Sequence, residues 1–192
     1  MDKEVVSKAS LRRVGGYLLG RAIALAALIA LAMLLAVKYR DSAKAAVFVF
    51  AAITAVSYAV TFVTAVLVHR GRNLHMLLKL QPLWDVCYII VVVYLSGGIS
   101  SPEVLFFPLA IIGSAVLYYR KGAMATASFA ALSYGALSIL QVYRIISPLD
   151  FLPLENLGGI NIPFRIAFNI ISFYGVAILS GDLAEELRRA DA

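Results

Sequence analysis

The chain has 192 residues, of which 62% are hydrophobic and only 15% charged, with a formal net charge of +6. A mean hydropathy of +0.89 is more than a single soluble core can hide, which excludes an ordinary water-soluble domain and assigns an integral membrane protein. The Lys and Arg residues sit at the ends of apolar runs and not on an aromatic-interleaved face, so they exclude a nucleic-acid partner and serve to orient spans in the bilayer.

Residues 1–16 are polar and basic, with Lys3, Lys8, Arg12 and Arg13, and are expected to form a cytoplasmic N-terminal segment. The run from Tyr17 to Val37 is longer than the apolar region of a signal peptide, so it is predicted to persist as a first transmembrane helix. Arg21 near its start is expected to snorkel to the headgroups. Ala22, Ala26 and Ala30 form a small-residue ridge that lets another helix approach. A charged connection, 38–44, leads to a second span from about Ala45 to Val68. Its Thr54, Ser57, Tyr58, Thr61 and Thr64 suit interhelix hydrogen bonds of roughly 0.6 to 2 kcal/mol each. His69 and His75 lie six apart around a basic loop with no carboxylate or thiol beside them, which does not make a metal site.

The third span, about Leu77 to Leu95, puts Gln81, Asp85 and Tyr88 on one helical stripe with Val92 and Leu95. Asp85 is the one carboxylate inside an apolar span, and an intramembrane ionisable group is a functional candidate. The single Cys87 of the chain rules out an internal disulfide and, inside this span, is expected to be a small buried residue. Gly97 and Gly98, with Ser100, mark a tight outer turn. Ser101 is placed to cap the next helix and Pro102 to occupy its first position. A fourth span, about Val104 to Tyr119, carries Pro108, and prolines in short spans are where pockets tend to open. Arg120-Lys121-Gly122 then turns the chain into a fifth span that ends near Tyr143, so spans three to five are expected to be antiparallel neighbours.

The connection 144–163 contains Pro148, Pro153, Gly158, Gly159 and Pro163, which rules out a continuous helix. In the sixth span, from Phe164 to about Leu183, Arg165, Asn169, Ser172, Val176, Leu179 and Leu183 alternate four and three apart. This is the spacing of a coiled-coil seam, polar at one end and apolar at the other. Leu187 continues it into residues 184–192, expected to begin a cytoplasmic signalling helix. The pattern stops at Ala192 without a cap, as expected of a fragment of a longer receptor. Basic-residue counts favour both termini inside. The fold class is therefore all-α, a polytopic six-transmembrane-helix bundle over residues 17–183 with both termini cytoplasmic.

No nucleophile and base motif, clustered metal ligands or phosphate-cradling loop is present, so no catalytic residue and no cofactor is assigned to this chain. The residues expected to sense a ligand are Gln81, Asp85, Tyr88, Pro108, Arg165, Asn169 and Ser172. Gly97, Gly98 and Ser100 form the outer turn, and Leu179, Leu183 and Leu187 the output helix.

Gln81-Pro82-Leu83-Trp84-Asp85-Val86, the Tyr94 to Pro102 turn and Leu117-Tyr118-Tyr119-Arg120 resemble the membrane-embedded sensor region of PilS-type sensor histidine kinases of bacterial two-component systems. The closing Leu179 to Arg189 is similar to that family's exit helix. The resemblance implies a homodimeric input domain in the bacterial inner membrane, leading to PAS and kinase modules. ATP and Mg would belong to the kinase core, and a response regulator would be its cytoplasmic partner. The signal would be a membrane-embedded protein or a hydrophobic small molecule. The phosphoacceptor histidine and the ATP-binding boxes of the family are absent from these residues, so the stretch is not itself a kinase. Two alternatives stand beside this reading: a small transporter or solute-binding protein with Asp85 as coupling carboxylate, and a passive dimerising anchor.

Overall fold

The computed structural model describes residues 14–23, 25–27, 29–30, 44–69, 75–146 and 161–190. Every regular element among them is helical. Helix α1 covers Val14–Ala27, α2 Lys44–His69 and α3 His75–Leu95. Two 3-10 turns, Gly98–Ser100 and Pro102–Leu105, lead into α4, Phe106–Val142, and α5 spans Ile162–Ala190. The expectations for 1–13, for the first span beyond residue 30 and for most of the three long connections lie outside the described residues.

Helix α4 is a hairpin. As a straight helix its 37 residues would reach about 55 Å, well beyond a hydrocarbon core of about 30 Å. Ser114 and Thr126 should then lie roughly 18 Å apart along the axis, yet their hydroxyls are hydrogen-bonded at 2.9 Å. The reversal is at Tyr119, whose φ of 57° and ψ of −152° fall where glycine is almost the only usual occupant. The predicted fourth and fifth spans are the two arms, 106–118 and 120–142. Gly122 lets them meet, because a Cβ there would run into the Tyr118 side chain and lie 3.0 Å from the Ser114 carbonyl. With its preceding 3-10 turn the first arm rises roughly 28 Å, close to the core thickness.

The ends of these helices are set by local chemistry. Gly97 and Gly98 take φ of 117° and 66°, which a side chain would oppose. Ser101 accepts a hydrogen bond from the Glu103 N–H with Pro102 at the first position, as predicted, although the helix opens with a 3-10 turn. Pro108 lies in the first turn of α4, where a missing N–H costs no intrahelical bond. The second arm ends in a Schellman motif, with Arg144 at φ 56° and the Ile145 and Arg144 N–H groups returning to Leu140 and Gln141.

Between lipid-facing helices apolar burial contributes little, so close packing and polar contacts hold the bundle. The centre is an aromatic triad that joins both arms to α5: Phe107 to Phe173 at 5.1 Å, Tyr134 to Phe173 at 6.0 Å and Phe107 to Tyr134 at 6.2 Å between centroids. Buried Ala123, Ala127 and Ala130 bring the second arm close to its neighbours. Helix α5 is peripheral and buries only Phe173, Ala177 and Gly181. At 29 residues it is roughly 44 Å long, so its charged end passes beyond the hydrocarbon. Cys87 corrects an expectation. It is exposed on the outside of α3, because in a bundle an apolar residue is equally at home facing lipid.

Candidate functional site

Helix α1 carries Tyr17 and Arg21 one turn apart, and both reach Asp85 at the middle of α3. The Arg21 Nη2 lies 2.8 Å from Asp85 Oδ1, with the two side chains only 5% and 14% exposed. The Tyr17 hydroxyl donates to Asp85 Oδ2 at 2.6 Å, so both carboxylate oxygens are engaged. Arg21 therefore does not snorkel. A buried cation and a buried anion within one low-dielectric layer are far cheaper together than apart.

Helix α2 completes the cluster. Ser57 accepts from Arg21 Nη2 at 3.2 Å, Thr54 and Tyr88 share a hydrogen bond at 2.9 Å, and Tyr58 donates to the Ala22 carbonyl at 2.9 Å. These three are interhelix bonds as expected. Thr61 and Thr64 are buried but bond back to their own helix, at Ser57 and Val60.

Tyr17, Arg21, Asp85 and Tyr88 of this cluster line a cavity of about 330 Å³ between α1, α3 and the first arm of α4. Its walls include Leu25, Ile89, Phe106, Leu109, Ile112 and Val116. Gly113 gives Tyr17 its place, since a Cβ there would come 2.7 Å from the tyrosine ring.

The other sensing candidates are distributed. Gln81 is on the same helix as Asp85 but belongs to a separate groove of about 460 Å³ between α2 and α3, beside Val60, Thr64 and Trp84. Its amide is buried with neither atom hydrogen-bonded. Pro108 lines neither cavity. At the glycine-turn end, the Ile99 N–H donates to Gln141 Oε1 at 2.9 Å, and Arg165 reaches the Ile99 carbonyl weakly at 3.5 Å. Asn169 donates to the Tyr134 hydroxyl at 2.9 Å, whereas Ser172 bonds only within α5, to Phe168. Ser100 lies in the first 3-10 turn. Leu179, Leu183 and Leu187 are all exposed. Thus Arg165 and Asn169 of the predicted seam turn into the bundle, while Leu179 and Leu183 turn out.

The opposite end holds a contact that spacing did not announce. The Tyr119 turn lies on the exit portion of α5. Gly181 packs on the Arg120 backbone so closely that a Cβ would sit 2.8 Å from its Cα. Arg120 pairs with Asp182 at 3.3 Å, and the Arg188 guanidinium stands 5.0 Å above the Tyr119 ring, a cation–π arrangement. The first arm therefore lines the cavity along its length and ends in the turn that holds α5. A signal was available for the Arg21–Asp85 pair, because an acid and a base inside apolar spans invite pairing. None was available for Gly181 or Gln141.

Among the described residues no group of His, Cys, Asp and Glu could hold a metal ion. A family model described as PilS-like transmembrane domain matches residues 7–192. The comparison with curated proteins finds no match, and neither does the comparison with solved structures.

Proposed function

Because the chain belongs to the PilS-like transmembrane domain family, we propose that it is the input domain of a bacterial inner-membrane sensor histidine kinase, with both termini cytoplasmic. It works as a homodimer, responds to a signal within the bilayer, and passes the response through α5 to PAS and kinase modules that act on a response regulator. ATP and Mg belong to those modules. The observation that carries this reading is the path through the first arm of α4, from the Arg21–Asp85 cavity to the turn that grips Gly181 and Asp182.

The mechanism is a population shift between two packings of the bundle. Occupancy of the cavity favours one position of arm 106–118. The Tyr119 turn moves with the arm, and α5 is peripheral enough to follow by a small shift or rotation. A tenfold change in output needs a differential affinity of only about 1.4 kcal/mol. The transporter alternative needs a carboxylate free to load and unload, whereas Asp85 is held by Arg21 and Tyr17. That favours the sensor.

The test has two arms. An antibody against residues 69–79 should detect, in native membranes, a band far above 20.7 kDa; a band near that mass removes the attached kinase. In the full receptor, autophosphorylation should become insensitive to membrane composition when a plain pair of apolar helices replaces the bundle. Unchanged regulation would mean that the domain is a passive anchor.

A further inference from the structure

We infer that Glu103 is a proton-binding site: the turn joining α3 to α4 closes when Glu103 carries a proton and opens when it is ionised. This goes beyond the sensor reading and does not depend on it.

The inference starts from a count of hydrogens. At the end of α3 the Ser96 hydroxyl donates to the Val92 carbonyl at 2.7 Å. It also lies 2.8 Å from the Ser101 hydroxyl, where either oxygen can be the donor, and Ser101 is hydrogen-bonded to Glu103 Oε2. Four oxygens thus stand in a row with three contacts between them. A carbonyl brings no hydrogen and each serine hydroxyl brings one, so an ionised Glu103 leaves two hydrogens for three contacts. The Val93 carbonyl, 3.4 Å from the Ser96 hydroxyl, adds an acceptor and no hydrogen. A protonated Glu103 supplies the third. The row then runs one way, from Glu103 to Ser101 to Ser96 to Val92, and Ser101 still accepts from the Glu103 N–H at 3.2 Å.

Burial gives the count its force. Ser96, Ser101 and Glu103 are only 7%, 5% and 5% exposed, and a buried polar contact without its hydrogen is costly. When Glu103 is ionised, Ser101 donates to it in a charge-assisted bond, and Ser96 has one hydrogen for two contacts. Helix geometry holds its bond to the carbonyl four residues back, so the contact with Ser101 gives way and the turn opens.

No cation takes over the charge. The other titratable or charged groups at this end are Tyr94 on α3, Tyr134 on the second arm, Tyr143 and Arg144 just after it, and Arg165 on α5. Among the described residues none of them is hydrogen-bonded or ion-paired to Glu103; Arg165 reaches the Ile99 carbonyl and Tyr134 takes Asn169. Ile99, in the same turn, is held by Gln141 and Arg165, so opening it reaches the second arm and α5.

The test follows amide hydrogen exchange in a peptide covering 96–105 of the purified full chain in phosphatidylcholine nanodiscs, at an acidic and at a mildly alkaline pH. Glu103→Gln keeps a donor in place at any pH, and comparing it with the unsubstituted chain at the same pH cancels the intrinsic pH dependence of exchange. At acidic pH the two should exchange alike. At alkaline pH the unsubstituted chain should exchange roughly five- to tenfold faster. Ser96→Ala removes two of the three contacts and one hydrogen, so the remaining Ser101–Glu103 bond needs no proton on the acid. In that background Glu103→Gln should change exchange equally at both pH values. If Glu103→Gln does not fold, Ser96→Ala is the reference: the unsubstituted chain should exchange more slowly than it at acidic pH and alike at alkaline pH. A difference between the unsubstituted chain and its reference that is the same at both pH values overturns the proton site. A pH-dependent effect of Glu103→Gln that survives Ser96→Ala means that the charge acts alone, and overturns the count of hydrogens.

Discussion

Gly181 of the exit helix rests against the backbone of Arg120, with room for a hydrogen but not for a methyl group. The neighbour is main chain, so it cannot swing aside. Gly181→Ala should push α5 off the Tyr119 turn and cost about 1 to 3 kcal/mol, read as a fall in the thermal midpoint of the detergent-solubilised domain. Asp182→Asn, which removes only a half-exposed ion pair, should cost less than about 1 kcal/mol. Equal losses from the two would mean that the close approach is not what holds the helix.

The buried pair predicts strong non-additivity. Arg21→Leu or Asp85→Leu alone leaves the other charge uncompensated and should cost about 3 to 5 kcal/mol. The double substitution removes both charges and should recover much of that loss. Denaturant titration of the four proteins closes a double-mutant cycle, and additive losses would separate the two residues energetically despite their 2.8 Å contact.

Tyr119 sets backbone strain against a favourable ring contact. Tyr119→Gly loses the stacking with Arg188 but relieves a conformation costing about 1 to 3 kcal/mol. Tyr119→Ala loses the stacking and keeps the strain. The glycine variant should therefore melt higher than the alanine variant, and the reverse order would place the turn in an unstrained conformation.

At the other end, a Cβ on Gly98 would collide with the Gln141 side chain, and its φ of 66° opposes one in any case. Gly98→Ala should be damaging by itself and less so in a Gln141→Ala background, where the obstacle is gone but the strain remains. Gln141→Ala alone should cost about 1 to 2 kcal/mol for the orphaned Ile99 N–H. If Gly98→Ala costs the same in both backgrounds, the side-chain collision plays no part.

Much of the architecture was legible along the chain, because it depends on local chemistry. Apolar length marked the spans, the paired glycines marked the turn that needs positive φ, Ser101-Pro102 marked a helix start, and the pattern beyond Leu183 marked a helix that continues. Asp85 was legible as unusual, since one acid in an apolar run stands out wherever the helix lies.

Its partner was decided in three dimensions. Arg21 is 64 positions away, and periodicity places a side chain on a face without saying which helix that face meets. The same limit explains why Gln81 and Asp85, one turn apart on α3, serve different cavities. It also explains why Cys87 faces out: lipid and protein interior are equally apolar, so hydropathy does not tell them apart. The close contacts of Gly181 with Arg120 and of Gly98 with Gln141 depend on where two backbones cross. What the sequence by itself determined is that helices span the membrane, where they begin and turn, and that one carries a charge needing an explanation. Only the packing of helix on helix decided which charge answers it, because that choice rests on distances between residues that spacing along the chain does not encode.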